Sequence, residues 1–317
     1  MRSLQYFPVQ LFAVVMGLSG LTIAYAKAFH FLHLPYWPYF ILLILDTAAF
    51  FCIFITYMIK WIKYPDAIKA EINHPVKSSF IPAISISFLL ISIAYMDYAP
   101  TISVTFWWIG AWLHLFFTFS VIKFWIRHSF DVKMISPAWF IPIVGNVLVP
   151  VAGVDVVNEY INLFFFTLGI FYWIVLFTIV TYRMIFHHPL PKKLIPTFFI
   201  LIAPPAVGFI SYFRITFGSI DIFSMILYLI GLFTFLLLIA KKSLYTQIPF
   251  FISWWAYTFP LAAITIATTL IYSSFKNCSM YWFSLLLLAI VTVVVFYVAY
   301  KTYLAIKAEK ICIPEEE

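Results

Sequence analysis

The chain has 317 residues, of which 65% are hydrophobic, 21% aromatic and only 10% charged, with a formal net charge of +7. Soluble domains carry about 25% charged residues, so a soluble protein is excluded and an integral membrane protein is the class that remains. The mean hydropathy of +1.04 agrees, and the positive charge reads as a membrane-topology signal with no nucleic-acid partner expected.

About 20 consecutive apolar residues are needed to cross a bilayer. Ten such runs are predicted, near 7–29, 37–59, 79–96, 102–126, 138–154, 159–184, 194–213, 222–240, 248–272 and 280–303. The third and fifth are the shortest. The first is too long for the apolar stretch of a signal peptide. The chain therefore reads as a single ten-span domain over 1–317, with short tails at 1–6 and 304–317. The acidic end at 315–317 is a solvated tail.

Along the chain, the first span carries Gly17 and Ser19 and reaches Lys27 near its far end. The second holds Asp46, the only acid well inside a span, and is followed by a loop with His74-Pro75. The third contains Pro82, Ser85 and Ser87, and the fourth His114. The fifth contains Pro142, Gly145 and Asn146, and the seventh the double proline Pro204-Pro205 after a loop with His187 and His188. The ninth contains Thr258, Pro260 and Thr265. The cysteines Cys52, Cys278 and Cys312 have no metal-site spacing and read as structural.

With ten spans both termini share one side, and that side receives 16 of the 19 Lys and Arg residues. Only Lys27, Arg214 and Lys276 fall on the other. The positive-inside rule then puts both termini in the cytoplasm of a cell (inner or plasma) membrane.

Pro82, Pro142, Pro204 and Pro260 lie inside odd-numbered spans, about sixty residues apart, while the even spans have no interior proline. A mid-span proline frees the carbonyl four residues earlier and kinks the helix. In lipid that is tolerated where protein or a water-filled cavity satisfies the freed group. Repeated hairpins of one kinked and one straight helix predict inner odd helices around a lumen and outer even helices facing lipid. The carbonyls of Ser78, Ala138, Ile200 and Ala256 are the ones such kinks would free.

Coupled transport marks its path with intramembrane charge. The odd spans carry none between their ends, only hydroxyls and one amide. A wall of this kind binds weakly and releases quickly, and without acids it suits an anion or a neutral solute better than a cation. Asp46 reads first as a hydrogen-bonded acid between helices, with a gating or protonation site as the sharper alternative. His114 reads as an interhelical donor. Phosphate-loop, nucleophile-elbow and zinc-protease motifs are absent, so no enzyme and no cofactor are expected.

Ser253-Trp254-Trp255-Ala256-Tyr257-Thr258-Phe259-Pro260 closely resembles a segment of the plant slow-type anion channels, which share a family with the bacterial tellurite-resistance protein TehA and the yeast malate permease. Phe7-Pro8-Val9 with Gly17-Leu18-Ser19, His74-Pro75-Val76-Lys77, Val144-Gly145-Asn146 and Ala203-Pro204 resemble other segments of that family in the same order. The resemblance implies an all-α membrane protein of five helical hairpins in a quasi-five-fold ring around a central pore, assembled as a homotrimer. It implies that Phe259 plugs the pore, with Gly17, Pro82, Pro142, Gly145, Pro204 and Pro260 as pore-lining or kink residues. The function it implies is a passive channel for chloride- or nitrate-type small anions. The alternatives are a carrier for dicarboxylates or tellurium oxyanions and, more remotely, a non-conducting sensor. Membrane lipids and small inorganic anions are the expected partners. The short tails imply no regulatory phosphorylation of the plant kind.

Overall fold

A computed structural model describes residues 4–74 and 76–313. Arg2, Pro75 and the acidic end at 315–317 lie outside the described residues.

Among the described residues, nine helical segments are long and apolar enough to cross a membrane, and a tenth, Pro137–Gly153, is apolar but shorter. The five even-numbered spans are each one uninterrupted α-helix: α2 (Trp37–Lys63), α5 (Pro100–Arg127), α7 (Glu159–Phe186), α9 (Ile222–Ala240) and α12 (Cys278–Lys307). The odd spans have two parts. A 3₁₀ turn comes first, at Val9–Leu11, Lys77–Phe80, Pro137–Phe140, Lys192–Ile202 and Ile252–Tyr257. An α-helix then follows: α1 (Phe12–Leu32), α4 (Ala83–Tyr95), α6 (Ile141–Gly153), α8 (Ala203–Ile215) and α11 (Thr258–Phe275). Two short connectors, α3 (Pro65–Asn73) and α10 (Ser243–Thr246), lie at the end that carries most of the basic residues.

The prolines explain the two-part spans, and they correct the expectation of freed carbonyls. Pro82 is the N-cap of α4, Pro142 and Pro204 are the second residues of α6 and α8, and Pro260 is the third of α11. In the first turn of an α-helix a proline removes no intrahelical hydrogen bond. The preceding carbonyls close tighter rings instead. Ser78 accepts from the Ile81 N–H at 3.3 Å, and Ala138 and Ile200 accept from the N–H groups of Ile141 and Ala203. At the fourth junction Trp255 O accepts from both the Thr258 N–H and its hydroxyl, the latter at 2.7 Å. Ser78, Ala138 and Ile200 are thus paired at their handovers from 3₁₀ to α geometry, and at the fourth handover the paired carbonyl is that of Trp255, next to Ala256.

Burial separates two layers. In the most apolar windows of spans one, three, seven and nine, 67–89% of residues are buried, against 28–39% in the even spans. Every residue of α6 is buried. The inner helices touch in a fixed order: α1 meets α4 and α11, α4 meets α6, α6 meets α8, and α8 meets α11. Each even helix packs on the outside of the odd helix before it. Outer faces such as Ile44, Phe116, Phe171 and Phe233 are exposed apolar side chains, as expected of surfaces solvated by lipid.

At the basic end a buried ion pair ties three segments together. Lys60 Nζ, on α2, donates to Glu71 Oε1 of α3 and to the carbonyl of Phe7, each at 2.7 Å, while Tyr57 donates to Glu71 Oε2 at 2.8 Å. The turn before Pro8, where the first span begins, is therefore fixed to the second span and its connector.

Candidate pore and its constriction

The five 3₁₀ segments bring their side chains together at the basic end. Four of them, with residues of the inner α-helices that follow, line a cavity of about 50 Å³ there, and the fifth span contributes through α6 in place of its Pro137–Phe140 segment. All five odd spans contribute: Met16 from the first, Phe80 from the third, Val144 from the fifth, Thr197 from the seventh, and Phe259 with Pro260 from the ninth. A buried water needs about 10–15 Å³ measured in this way, so the space admits a few waters only.

The wall is apolar with a few polar groups. Thr197 and Ser253 line the cavity, but each hydroxyl donates to a carbonyl behind it, that of Leu194 and Lys193 respectively, at 2.6 Å. Their lone pairs remain available and their protons are committed. Gln10 is the third polar lining residue, and its Oε1 has no hydrogen-bond partner among the described residues.

Phe259 bounds this cavity and is 6% exposed. It lies in the first turn of α11 against Gly20 of α1. A Cβ built on Gly20 would lie 3.3 Å from Phe259 Cδ2, 3.6 Å from its Cα and 2.9 Å from the Cβ of Ala262. One turn earlier, a Cβ on Gly17 would overlap the Thr258 hydroxyl and come within 2.9 Å of the Trp255 ring. The two glycines give α1 a smooth face on which the backbone carrying Phe259 rests. Trp255 is held from behind by a 2.9 Å hydrogen bond from its indole N–H to Thr302 of α12.

The other sequence candidates fall in distinct places. Pro260 lines the cavity. Pro82, Pro142 and Pro204 are buried at their junctions, and the wall beside them is made by Phe80, Ile141 and Ala203. Gly17 faces α11. Gly145 faces outward, under the imidazole of His114, which a Cβ at that position would overlap.

His114, from α5, joins two junctions. Its Nε2 lies 2.9 Å from Pro142 O and its Nδ1 2.8 Å from Ser85 Oγ, which is itself 2.8 Å from Pro82 O. A carbonyl can only accept, so Nε2 carries a hydrogen and donates to Pro142. Thr118 adds a donor to the same carbonyl at 2.9 Å, and Asn146 Nδ2 donates to Thr118 at 2.9 Å. Asp46 of α2 is fully buried, and the hydroxyl of Ser19 on α1 is the side-chain hydrogen-bonding group that faces its carboxyl.

Gly20 and Gln10 were not singled out by the sequence reading. The signal for Gly20 was its three-residue spacing from Gly17, which places both on one helical face. Gln10 carried no signal beyond its polarity near the start of an apolar run.

Comparisons of the sequence with known proteins identify its family. Residues 6–303 match the family model SLAC1, voltage-dependent anion channel. An uncharacterized transporter of Methanocaldococcus jannaschii is 30% identical over 291 residues, covering 83% of this chain and 84% of that protein. The S-type anion channel SLAH3 of Arabidopsis thaliana is 29% identical over 304 residues, covering 92% of this chain and 47% of that protein. A tellurite resistance protein TehA homolog of Haemophilus influenzae is 25% identical over 267 residues, covering 84% and 81%. The chain belongs to the SLAC1 family of anion channels and transporters, which includes the TehA homologues.

Proposed function

We propose that the protein is a passive channel for small inorganic anions of the chloride or nitrate type, closed in this conformation by the Phe259 ring. The observation that carries the reading is one small apolar cavity that receives side chains from all five odd spans and is bounded by Phe259. The neighbour order of the inner helices supports a quasi-five-fold ring around a central pore. The 3₁₀ segments, with their proline handovers, form the cytoplasmic half of that pore, since the basic residues gather at their end. This orientation puts both termini in the cytoplasm of a cell membrane, and the family resemblance supports a homotrimer with one pore per protomer.

An apolar wall with committed hydroxyl protons holds an anion weakly. Weak holding favours rapid passage once the ring no longer blocks the path. The absence of acids in the wall removes the attraction for cations. The second reading, a carrier for dicarboxylates or tellurium oxyanions, is favoured by the similarity to the TehA homologue, named for tellurite resistance. The two separate by rate and coupling. Reconstituted protein carrying Phe259→Ala is placed in a planar bilayer between unequal chloride solutions. A channel gives unitary currents that reverse at the anion equilibrium potential. A carrier gives no unitary events, and its flux saturates or requires exchange.

A further inference from the structure

The end of the bundle opposite the basic rim carries charge that the pore reading leaves unused. Lys27 of α1 and Arg214, near the end of α8, project from two different inner helices. Each meets an acid that follows another inner helix. Lys27 Nζ lies 3.7 Å from Asp97 Oδ2, after α4, and Arg214 Nη2 bonds Asp155, after α6, at 2.5 Å. The Arg214 Nε–H also donates to Val151 O at 3.0 Å, which fixes the guanidinium across α6 and α8. These four groups lie at the same ends of α1, α4, α6 and α8, which touch in that order, and the charges of Arg214 and Asp155 reach Lys27 along with that of Asp97.

Burial sorts these charges. The side chains of Lys27 and Arg214 are 24% and 32% exposed, against 39% and 59% for Asp97 and Asp155. The cations sit deeper, and the acids stand toward water. Asp97 is also shared: His30 Nε2, one turn beyond Lys27 on α1, lies 3.0 Å from the same Oδ2.

We propose, resting on the anion-pore reading, that Lys27 and Arg214 form a binding site for a small inorganic anion at the outer mouth, in series with Phe259, and that Asp97 occupies Lys27 until His30 is protonated. With a neutral imidazole, the charges of Lys27 and Asp97 cancel and an arriving anion meets no net attraction from the triad. A charged imidazole takes Asp97 through the shorter contact. The triad then carries a net positive charge, and the ammonium is released toward the permeant ion. Histidine, with an ordinary pKa of about 6.5, is the side chain suited to such a change between about pH 5 and pH 8. The Asp97 charge also reaches the Tyr36 and Tyr39 phenols, which have Tyr95 and Tyr98 beside them, and a phenol does not change charge in this pH range. His33 ends the same helix, and Lys276, at the end of α11, stacks on Tyr272 at 5.2 Å.

The first test is current in planar bilayers with the outer face at about pH 5.5 or about pH 7.5, either side of the ordinary histidine value. With Phe259→Ala present in every protein to keep the path open, the otherwise unaltered chain (the wild-type mouth) and His33→Gln are expected to pass several-fold more anion current at the acid outer pH. His30→Gln is expected to lose the response, Asp97→Asn to pass the high current at both pH values, and Lys27→Gln the low current at both. A pH response in His30→Gln equal to wild type overturns the proposal.

A second measurement does not need conduction. The His30 ring resonance, assigned by its loss in His30→Gln, is titrated by NMR in detergent with chloride and with gluconate. An anion held at Lys27 favours the charged imidazole, so the midpoint is expected to rise in chloride, and to do so less in Lys27→Gln. Equal midpoints in the two salts overturn the site. A chloride shift in a protein that passes no anion supports the site and removes the channel reading.

Discussion

Gly20 and Phe259 are in direct contact across the α1–α11 interface: a single added carbon on Gly20 would stand 3.3 Å from the phenylalanine ring and 2.9 Å from the Ala262 methyl. The ring position is thus set from behind by a residue with no side chain. Gly20→Ala is expected to separate α1 from α11 by a few tenths of an ångström, at a cost of about 1–3 kcal/mol for overpacking. The looser fit should raise anion current above wild type but below Phe259→Ala. Ala262→Gly removes the opposing methyl, so the double variant Gly20→Ala/Ala262→Gly should recover part of the thermal stability. A double variant no more stable than Gly20→Ala alone would show that the contact does not set the spacing.

His114 ties the α4 and α6 junctions through Ser85 and Pro142. His114→Ala should lower stability by about 2–4 kcal/mol, because it leaves a cavity and deprives buried groups of a partner. Gly145→Ala should be worse on its own, since its methyl would overlap the imidazole. Thermal unfolding in detergent checks both. In the His114→Ala background, Gly145→Ala should cost much less, and equal costs in both backgrounds would contradict the packing described.

The Lys60–Glu71 pair is buried, with side chains 1% and 10% exposed. Removing one partner from such a pair strands a charge and costs about 3–5 kcal/mol, whereas replacing both is far milder. Lys60→Met should therefore destabilise strongly, and Lys60→Met/Glu71→Leu should be closer to wild type. Because Lys60 also holds the Phe7 carbonyl, proteolysis near the start of the first span should accelerate in Lys60→Met.

Asp221 caps α9, accepting from the backbone N–H of Ser224 at 2.9 Å and from the Tyr212 hydroxyl at 2.7 Å. These bonds, that of the Ser224 N–H first, hold its carboxyl below the ordinary value of 3.8. A depressed folded-state pKa means that the cap contributes above the ordinary carboxylate range and is lost as pH falls through the lower folded value. The protection of the amides in the first turn of α9, taken relative to their intrinsic exchange rate at each pH, should be constant from neutral pH down to about pH 4 and should fall below it. Asp221→Ala should show the lower protection already at neutral pH and converge with wild type in acid.

The layering was legible in the sequence because prolines and interior burial repeat together: the runs holding Pro82, Pro142, Pro204 and Pro260 are the inner ones. The 3₁₀ geometry before each proline was not, since hydropathy does not distinguish i+3 from i+4 bonding and both keep apolar side chains inward. Gly145 shows a second limit. A helix buried on every side, as α6 is, has no amphipathic face to tell the lumen from a neighbouring helix, and so the side of α6 that meets His114 could not be read. Asp46 was visible as an isolated intramembrane acid, but that Ser19 of α1 is the hydroxyl facing it depends on how α1 and α2 pack. Lys27 was legible as a cation at the far end. Its shared mouth with Asp97, Asp155 and Arg214 joins residues from four separate spans and needed the three-dimensional arrangement.

The central claim is that the Phe259 ring closes an anion path lined by the five odd spans. Its most direct test compares wild type with Phe259→Ala and Phe259→Leu by voltage clamp, at matched surface expression and across imposed chloride gradients. The account predicts large currents in Phe259→Ala that reverse at the chloride equilibrium potential, with Phe259→Leu intermediate and wild type small. Currents in Phe259→Ala no larger than wild type, with the protein present at the surface, would contradict it.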